Sequence, residues 1–546
     1  MKRIISLMLS LMMFIGLLAA CGGEDTTTSA NTQSTTTDTT QVSSDVPQDD
    51  LYKLPIVDDT ITLTAITQFR SSYMESWNDC EAFKELEKRT NVHIEFSGWN
   101  KDRTEKFNLM VNSQDYPDLL NFHSSDYIGG FDSYVFNEVI IDLAELIPQY
   151  APRYTALREG DPIVAKDTVT DTGIIPAFFL IQQVPQPRWI GPSVRQDMLD
   201  QIGYDASEVD TYDELHDMLT AMKDANICEV APFAPFTASG IANWFSSGFN
   251  AYNGMLNVDG KVIYSAASQE MKDYVILMNK WYNEGLIDPY FYSRVGASDM
   301  GLFIEASDIL NDDFGYFASS YSGLDTSNRD GINENYELVP MLVPMLEEGQ
   351  DNKIYYTGTD HRAVTKTMAI STQCENPEIA VRYIDYCYDE EMSTILNYGL
   401  EGSGRVTIDG KPYFSEAQLE DPDGINGNSY SSVAMWPMIY MWTREFTLDS
   451  SDMVYDSIYG YWNTDGFEDV ESYTMPPVSL STDESSTYAN IINEVNTYAA
   501  ETIVRMVIGE IDIETGWQEF LDTIDSMGID EAVAIQQAAL DRYNAR

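Results

Sequence analysis

Between residues 60 and 123 the spacing of apolar residues switches repeatedly between the period of a strand and the period of a helix. Three segments are predicted to be strands: Thr60–Ile66, Val92–Ser97 and DLLNFH at 118–123. Two helices are predicted between them, one with Ala82, Phe83 and Leu86 on a single face and one from about Lys101 to Asn112. Alternation of this kind restricts the fold to a layered α/β arrangement with parallel strands and right-handed crossovers.

The loops that follow the predicted strands combine aromatic and polar side chains. Residues 68–79 read QFRSSYMESWND, and residues 122–127 read FHSSDY. In open α/β sheets, ligands bind at the carboxyl ends of the strands. These two loops are therefore predicted to line a binding site.

The length of the chain indicates more than one hydrophobic core. A folded body from about residue 52 to residue 546 is too long for a single ordinary core, so we expect two lobes. The predicted limits are a signal segment at 1–20, a tether at 21–51, the first part of lobe 1 at 52–176, the first part of lobe 2 at 177–355, crossover segments and cleft-lining loops of both lobes at 356–475, and C-terminal helices at 476–546.

Several local signals predict where later elements begin and end. Thr172–Phe178 is predicted to be a strand that leaves lobe 1. Thr211 and Glu214 have the spacing of a capping box. Asn376 before Pro377 predicts a helix start. Glycines are predicted to end two further helices, at Gly285 and Gly509.

The first residues have the order of a secretory signal. Lys2 and Arg3 precede the apolar run Ile4–Ala20, which ends at Cys21. Leu-Ala-Ala-Cys resembles the lipobox of bacterial lipoproteins, in which the cysteine sulfur carries the lipid. A membrane-spanning helix is the alternative, since roughly 20 apolar residues cross a bilayer. The Thr- and Ser-rich segment Gly22–Asp50 is predicted to be a flexible tether, so we expect a body held at the cell membrane and facing outward.

The acidic composition excludes some partners. The chain has 31 basic and 88 acidic residues, for a formal net charge of −57. Nucleic-acid binding requires basic patches that release counterions, and an anionic membrane repels an acidic body. We therefore expect no nucleic-acid partner and contact with the membrane only through the lipid anchor. The same charge also keeps an exported protein soluble.

Motifs for catalysis and for metal binding are missing from the sequence. None of the four histidines lies in HExxH, and there is no GxSxG, phosphate-binding glycine loop or CxxC. Disulfide bridges and buried thiols both remain open for Cys80, Cys228, Cys374 and Cys387. A glycoside hydrolase needs only two carboxylates, but among 88 acidic residues such a pair carries no information. We predict a non-enzymatic protein without a cofactor or metal.

Aromatic residues make up 12% of the chain, and several lie in loops beside planar polar residues. Aromatic faces stack on the C–H patches of sugar rings, while planar polar groups bind the hydroxyls. The candidate ligand-binding residues are Arg70, Tyr73, Trp77, Asn78, Asp79, His123, Asp126, Arg188, Asn243, Trp244, Arg362, Tyr398, Trp436 and Trp442. For each aromatic residue the alternative is core packing, and Trp77 could instead form a hydrophobic staple at a helix start.

Five longer segments together resemble one protein family. They are EKRTNVHIEF, WYNEGLIDP, CENPEIAVRYIDY, LNYGLEGSGRVTIDGKPYFSE and GWQEFLDTIDSMGIDEAVAIQQAALDRY. They resemble the large lipoprotein solute-binding proteins of carbohydrate ABC importers in Gram-positive bacteria. The resemblance implies a two-lobed periplasmic-binding type II clamshell, with a mainly parallel sheet flanked by helices in each lobe and a helical C-terminal extension. It also implies a monomer that holds an oligosaccharide between its lobes and delivers it to an ABC permease.

One departure from that family concerns calcium. Many relatives carry a calcium loop rich in Asp and Asn after a helix ending in Met-Lys. The corresponding sequence here, MKDANICEVAPF, lacks the alternating oxygen ligands that calcium needs. No calcium site is predicted.

The sequence leaves other functions open. A binding protein for a peptide or another organic solute and a surface adhesion or scaffold lipoprotein are the alternatives. Within the sugar class, the acidic charge favours a neutral ligand over a uronate, unless Arg70, Arg188 and Arg362 form a local basic cluster.

Overall fold

The computed structural model describes most of the body of the chain. The described residues are 50–69, 74–99, 102–127, 129–183, 190–235, 238–243, 245–294, 309–320, 324, 331–332, 334–354, 361–419, 436–441, 462 and 472–546. The strands are β1 Ile61–Gln68, β2 Val92–Trp99, β3 Leu119–His123, β4 Phe178–Gln182, β5 Ile190–Arg195, β6 Ala231–Ala234, β7 Met255–Val258, β8 Lys261–Tyr264, β9 Phe314–Ser320, β10 Leu338–Pro340, β11 Ala363–Ile370, β12 Arg405–Ile408, β13 Lys411–Phe414 and β14 Ile439–Tyr440.

Helices flank these strands along the whole chain. The α-helices are Glu81–Thr90, Arg103–Ser113, Gly130–Phe136, Leu146–Tyr150, Pro152–Gly160, Pro162–Asp167, Gln196–Ile202, Tyr212–Ala225, Ala238–Asn243, Gln269–Asn283, Pro377–Tyr386, Glu390–Tyr398, Glu416–Leu419, Thr482–Val507, Ile513–Ser526 and Ile529–Ala545. Short 3-10 helices are Trp77–Asp79, Ser124–Asp126, Ala206–Glu208, Ser247–Phe249, Ser265–Ala267 and Phe291–Ser293.

Two main sheets divide the body into two lobes. Sheet A has six strands in the order β14-β4-β11-β3-β1-β2, and sheet B has four in the order β10-β5-β9-β6. In sheet A, β1 pairs in parallel with β2 and β3, as the sequence predicted. We call sheet A with its packed helices lobe 1, and sheet B with its helices lobe 2.

Sheet B differs from the expectation of a mainly parallel sheet in each lobe. Strand β5 lies antiparallel to both β9 and β10, and only β6 and β9 pair in parallel. The reason is that β5 enters lobe 2 from lobe 1 instead of following a helical crossover within the lobe, so no right-handed crossover fixes its direction.

The predicted helix ends are confirmed. Thr211 and Glu214 form the capping box of helix Tyr212–Ala225. Pro377 occupies the first turn of its helix, although the side chain of Asn376 makes no capping hydrogen bond. Gly285 and Gly509 follow helix ends with positive φ angles of 70° and 80°, conformations that glycine adopts without steric cost.

The predicted strand at Thr172–Phe178 is wrong in position. The strand begins at Phe178 and continues to Gln182, and all five of its residues are buried. Gly173 has a positive φ of 85° and Pro176 lacks a backbone N–H, so the preceding residues form a turn instead of a ladder.

Each lobe has its own large hydrophobic core. One core surrounds sheet A, and the other joins lobe 2 to the C-terminal helices through residues such as Val495, Ile503 and Phe520. The four described cysteines are free thiols. Within the ranges given above, no helix is both long and apolar enough to cross a bilayer.

Candidate functional site

In each main sheet, several strands end on the same edge, and the chain leaves the sheet for the other lobe from that edge. Strand β11 lies antiparallel between β3 and β4, so β1, β2, β3 and β4 all end on one edge of sheet A. In sheet B, β6 and β9 end where β5 begins. The chain passes from one lobe to the other after β4, after β10 and after β14. We call the edge where β1 to β4 end and the edge where β6 and β9 end the cleft edges, and a ligand is expected between these two edges.

A cavity of about 280 Å³ lies at the cleft edge of sheet A. Its lining residues are Phe69, Glu75, Ser76, Trp77, Phe96, Ser97, Gly98 and Trp99. They come from the ends of β1 and β2 and from the turn that follows β1. The cavity therefore combines aromatic rings, hydroxyls and a carboxylate at the place that the strand order predicts for a ligand.

Trp77 forms part of the fixed wall of this cavity. Its indole N–H donates to the carbonyl of Gln68 at 2.8 Å. Its ring meets Phe69 edge-on, with ring centroids 5.2 Å apart, and the side chain is almost fully buried. Trp77 can present only the rim of its ring to the cavity.

Asn78 and Asp79 hold the turn that carries Trp77. The Asp79 carboxylate accepts from the backbone N–H groups of Glu75 and Ser76, each at 3.2 Å. The Asn78 amide donates to the carbonyl of Ile94 at 2.9 Å. Both side chains thus position the cavity wall.

Asp126 and His123 lie at the end of β3, next to a residue that sequence reasoning missed. The buried Asp126 carboxylate accepts from the His123 backbone N–H at 3.0 Å and from the Thr104 hydroxyl at 3.2 Å. Its partner in an ion pair is Arg103, with Nε 2.8 Å away. The Arg103 guanidinium carbon lies 5.9 Å from the ring centre of Trp99. Asp126 therefore orients a cation beside the cavity.

Trp99 is the other missed residue. It stacks on Phe122, with ring centroids 6.1 Å apart and an interplanar angle of 16°. Its indole N–H is buried and has no acceptor among the described residues. Buried donors without a partner are rare in proteins. An unpaired donor in a cavity wall is therefore a candidate contact for a ligand oxygen.

Arg362 ties two connecting segments together. It donates to the carbonyls of Gln182 and Gln183 and to Asp161, the last at 3.1 Å. These bonds fix the start of β11 against the end of β4, so the guanidinium is occupied by the protein itself.

The remaining candidates do not meet at the cavity. Trp436 is fully buried and contacts Phe83 and Phe96 edge-on. Tyr398 is also buried, beside Phe414. Trp436 belongs to the hydrophobic core of lobe 1, and neither side chain is among the residues that line the cavity. Asn243 lies in lobe 2, where its side-chain oxygen accepts from the Asn253 backbone N–H at 3.1 Å. Outside the described residues lie Cys21, Arg70, Tyr73, Arg188, Trp244 and Trp442.

Two lobes built on separate sheets, between which the chain passes three times, together with an aromatic cavity at the cleft edge of sheet A, are the architecture of the clamshell fold. No protein-family model matches the chain. It is 22% identical, over 97% of its length and 96% of the relative's, to the fructooligosaccharide ABC transporter substrate-binding protein FusA of Streptococcus pneumoniae serotype 4. The resemblance to oligosaccharide-binding proteins of ABC importers, predicted from the sequence, is confirmed.

Solved structures share the fold at low identity. The alginate-binding protein AlgQ2, in a crystal structure without calcium ion, matches with a TM-score of 0.70 and 20% identity, covering 89% of this chain and 99% of that one. FusA of S. pneumoniae in complex with kestose matches with a TM-score of 0.68 and 20% identity, covering 89% of this chain and 100% of that one. The predicted clamshell class is confirmed.

The names of these structures raise the question of calcium, since one FusA structure is of an EF-hand mutant. After helix Tyr212–Ala225, the Glu229 and Val230 backbone N–H groups donate to the carbonyls of Asp312 and Asp313 at 2.8 and 3.1 Å. Among the described residues, no group of three or more His, Cys, Asp or Glu side chains could hold a metal ion. The residues at this place do not fit a calcium ion.

Proposed function

We propose that the chain is an extracellular solute-binding protein that holds a neutral oligosaccharide between its lobes and delivers it to an ABC permease. The observation that carries this proposal is the aromatic cavity at the cleft edge of sheet A, with the unpaired indole N–H of Trp99 in its wall. Oligosaccharide binding is also what the name of the relative FusA states for that protein.

The cavity chemistry suits a sugar. Trp99 and Phe69 offer aromatic surfaces, while Ser76 and Glu75 offer polar atoms that pair with hydroxyls. Arg103 pairs with Asp126 through Nε, and its terminal nitrogens have no acceptor among the described residues. These N–H groups can donate to ligand hydroxyls.

Charge at the cleft edge favours a neutral ligand over a uronate. The positive charges of Arg103 and Arg362 are balanced by Asp126 and Asp161. Glu75 adds a carboxylate to the cavity wall, and the chain as a whole carries a large negative charge. An anionic sugar would therefore meet the carboxylate of Glu75 and the negative field of the whole chain.

The proposed mechanism is closure and not catalysis. A ligand that contacts both lobes stabilises the closed state by the difference in its contacts with the two states. The last turn of the C-terminal helix, which belongs to lobe 2, is tied to lobe 1. The Tyr543 hydroxyl donates to Asp167 at 2.7 Å, and Arg542 and Arg546 pair with Asp171. We infer that the lobes rotate about this side.

The proposal includes attachment to the cell membrane. Cys21 would carry the lipid, residues 22–51 would form the tether, and the body would act as a monomer next to the permease. A binding protein for peptides or other organic solutes is the alternative in the same class, and a surface scaffold is the alternative outside it.

The first experiment is thermal unfolding of residues 50–546 against neutral oligosaccharides, including fructooligosaccharides, and matched uronate oligosaccharides. A ligand at 100 times its Kd stabilises the native state by about 2.7 kcal/mol, a shift of roughly one to two degrees for a chain of this size. We expect a shift with one neutral class alone. A shift with uronates alone would contradict the neutral-ligand proposal, and peptides would be tested if the whole panel is flat.

Trp99→Phe tests whether the cavity is the binding site. Trp281 provides a matched control because it is also buried and its indole N–H also lacks an acceptor among the described residues, but it lies in the core of lobe 2. We expect Trp99→Phe to weaken ligand binding about three- to tenfold, as loss of one hydrogen bond does. Trp281→Phe should leave the Kd unchanged. Equal effects on the Kd would remove the cavity from the proposed site.

A further inference from the structure

Arg195 is a fully buried arginine at the end of β5, on the edge of sheet B that faces away from the cleft. Its Nε and one terminal nitrogen donate to the two carboxylate oxygens of Asp197, both at 2.7 Å. The same terminal nitrogen donates to Asp312 at 2.9 Å, and the other donates to the carbonyl of Asn311 at 2.7 Å. The guanidinium is therefore held by two carboxylates and a carbonyl.

An aromatic ring completes the enclosure of this guanidinium. The Arg195 guanidinium carbon lies 3.9 Å from the ring centre of Tyr336. The Tyr336 hydroxyl in turn donates to the carbonyl of Ile309 at 2.7 Å. A planar, always charged group matches this combination of a two-oxygen carboxylate and a stacked ring better than an ammonium, which keeps the charge but not the paired geometry.

Arg195 joins segments that are far apart in the sequence. Asp312 lies 117 residues from Arg195. The backbone carbonyl of Asp312 accepts the N–H of Glu229, which belongs to the segment after helix Tyr212–Ala225. Burial opposes the charge, but hydrogen bonds to Asp197 and Asp312 raise the pKa of Arg195 above its ordinary value. Arg195, at the end of β5, thus binds the 309–313 loop directly, and that loop in turn holds the 226–230 segment through its bond to Glu229.

The 226–230 segment is where the family resemblance implied a calcium loop, and its residues do not fit calcium. We propose that the Arg195 guanidinium is the built-in cation of this end of lobe 2, so that lobe 2 folds without a divalent metal there. The site brings two carboxylates and a carbonyl together, and without the guanidinium their negative charge would need a bound cation. A covalently attached cation cannot be removed by a chelator.

The first test compares two replacements of Arg195 in the chain from Cys21 onward. Arg195→Met keeps much of the side-chain volume but removes the charge, which leaves the two carboxylates without their partner. We expect its Tm to fall by about 2 to 4 °C, because loss of one member of a buried ion pair is strongly destabilising. Arg195→Lys keeps the charge and should lose less than half as much. If both variants lose the same amount, the charge is not what the site needs, and the proposal is wrong.

A surface arginine provides the matched control. Arg89 also pairs with two carboxylates, Glu85 and Glu391, but it is partly exposed and Glu391 is mostly exposed. We expect Arg89→Met to lower the Tm by less than about 1 °C, as is usual for exposed pairs. If Arg195→Met does not fold, Asp312→Asn replaces it, with an expected loss of about 1 to 2 °C. A loss no larger than that of Arg89→Met would overturn the proposal.

The second test measures the wild-type chain with a chelator and with millimolar calcium. We expect the two Tm values to agree within about 1 °C, because ligand-linked stabilisation requires a site that binds the ion. A rise of several degrees with calcium would show that the fold uses a metal ion, and the built-in cation would be rejected.

Discussion

Two arginine–aspartate pairs, one at the cleft edge of sheet A and one at the outer edge of sheet B, differ in which partner is buried. At the cleft edge of sheet A, Asp126 is 2% exposed while Arg103 is 31% exposed. At the outer edge of sheet B, Arg195 is 1% exposed while Asp312 is 43% exposed. Both arginines lie over an aromatic ring, Trp99 in the first case and Tyr336 in the second.

The difference separates a group that can act on a ligand from a group that holds the fold. A buried carboxylate fixes Arg103 in place and leaves its terminal N–H groups available. Arg195, by contrast, uses both terminal nitrogens on protein oxygens. In the roles that we propose, the same two residue types contribute to binding at one edge and to stability at the other. Residue type alone does not distinguish these roles, but the location of the buried partner does.

A third pair tests whether a buried carboxylate paired with an arginine always favours the ionised form. Asp385 is 1% exposed and pairs with Arg153 at 3.2 Å, far from the cleft edge. Burial raises the pKa of Asp385 to about 6, although the Tyr154 backbone N–H and Arg153 oppose this shift. Desolvation therefore exceeds the attraction of the arginine here.

The sign of the pH dependence follows from the raised pKa. Between pH 4 and pH 6 the folded chain holds a proton on Asp385 that the unfolded chain has released, so this contribution to stability is complete below about pH 4 and is lost as the pH rises through 6. We expect Asp385→Asn, which does not titrate, to gain about 3 kcal/mol relative to wild type from pH 4 to pH 7. Urea unfolding of both proteins across this range measures the difference. A constant difference would mean that the Arg153 pair dominates after all.

Strand β5 runs from the cleft edge of sheet B, where Gly191 lies, to the outer edge of the same sheet, where Arg195 lies. A Cβ atom at Gly191 would lie 2.5 Å from the indole ring of Trp462. This ring is fully buried, and its N–H donates to the Pro192 carbonyl. We expect Gly191→Ala to cost about 2 kcal/mol in urea unfolding, because the ring has to move within a packed site.

A matched glycine distinguishes this steric effect from a general effect of alanine. No atom lies within 4 Å of a Cβ placed at Gly160. Gly160→Ala should therefore be neutral or slightly stabilising, since it restricts mainly the unfolded chain. If Gly191→Ala behaves in the same way, the indole ring of Trp462 is not tightly packed against β5.

Local patterns were sufficient for the framework but not for the contacts between distant segments. The strands near 61–68, 92–99 and 119–123 and the cap at Thr211 follow from spacing within a few residues. Arg195 and Asp312 are 117 residues apart, and no local pattern joins them. The antiparallel direction of β5 likewise depends on the path of the chain between the lobes.

The candidate site was also predicted only in part: its loops followed from local patterns, but some of its residues did not. The described residues of the predicted loops at 68–79 and 122–127 lie at the cleft edge of sheet A, because the carboxyl ends of the predicted parallel strands share one edge. Trp99 and Arg103 were missed because β2 was predicted to end at Ser97, two residues before Trp99. A tryptophan at the end of a strand and an arginine four residues later were the available signal. Trp436, beside a proline, gave no period from which its burial could be inferred.

The smallest expected effect tests the role of Arg103 itself. Arg103→Lys keeps a positive charge next to Asp126, so the buried carboxylate remains paired. It removes the planar group that lies over Trp99 and the N–H groups of the two terminal nitrogens. We expect the Kd for the oligosaccharide to rise about three- to tenfold with a change in Tm of less than about 2 °C. Calorimetric titration and thermal unfolding of the same preparation measure both quantities.

The control for Arg103→Lys is the same replacement at the surface. Arg89 pairs with Glu85 and Glu391 near the end of helix Glu81–Thr90, which precedes the start of β2, whereas the cavity-lining residues at 96–99 lie at the opposite end of that strand. Arg89→Lys should leave the Kd unchanged because it touches only protein carboxylates and a tyrosine hydroxyl. If Arg103→Lys also leaves the Kd unchanged but lowers the Tm, the exposed arginine of the cleft pair serves the fold as Arg195 does. The burial of one partner would then no longer distinguish binding from stability.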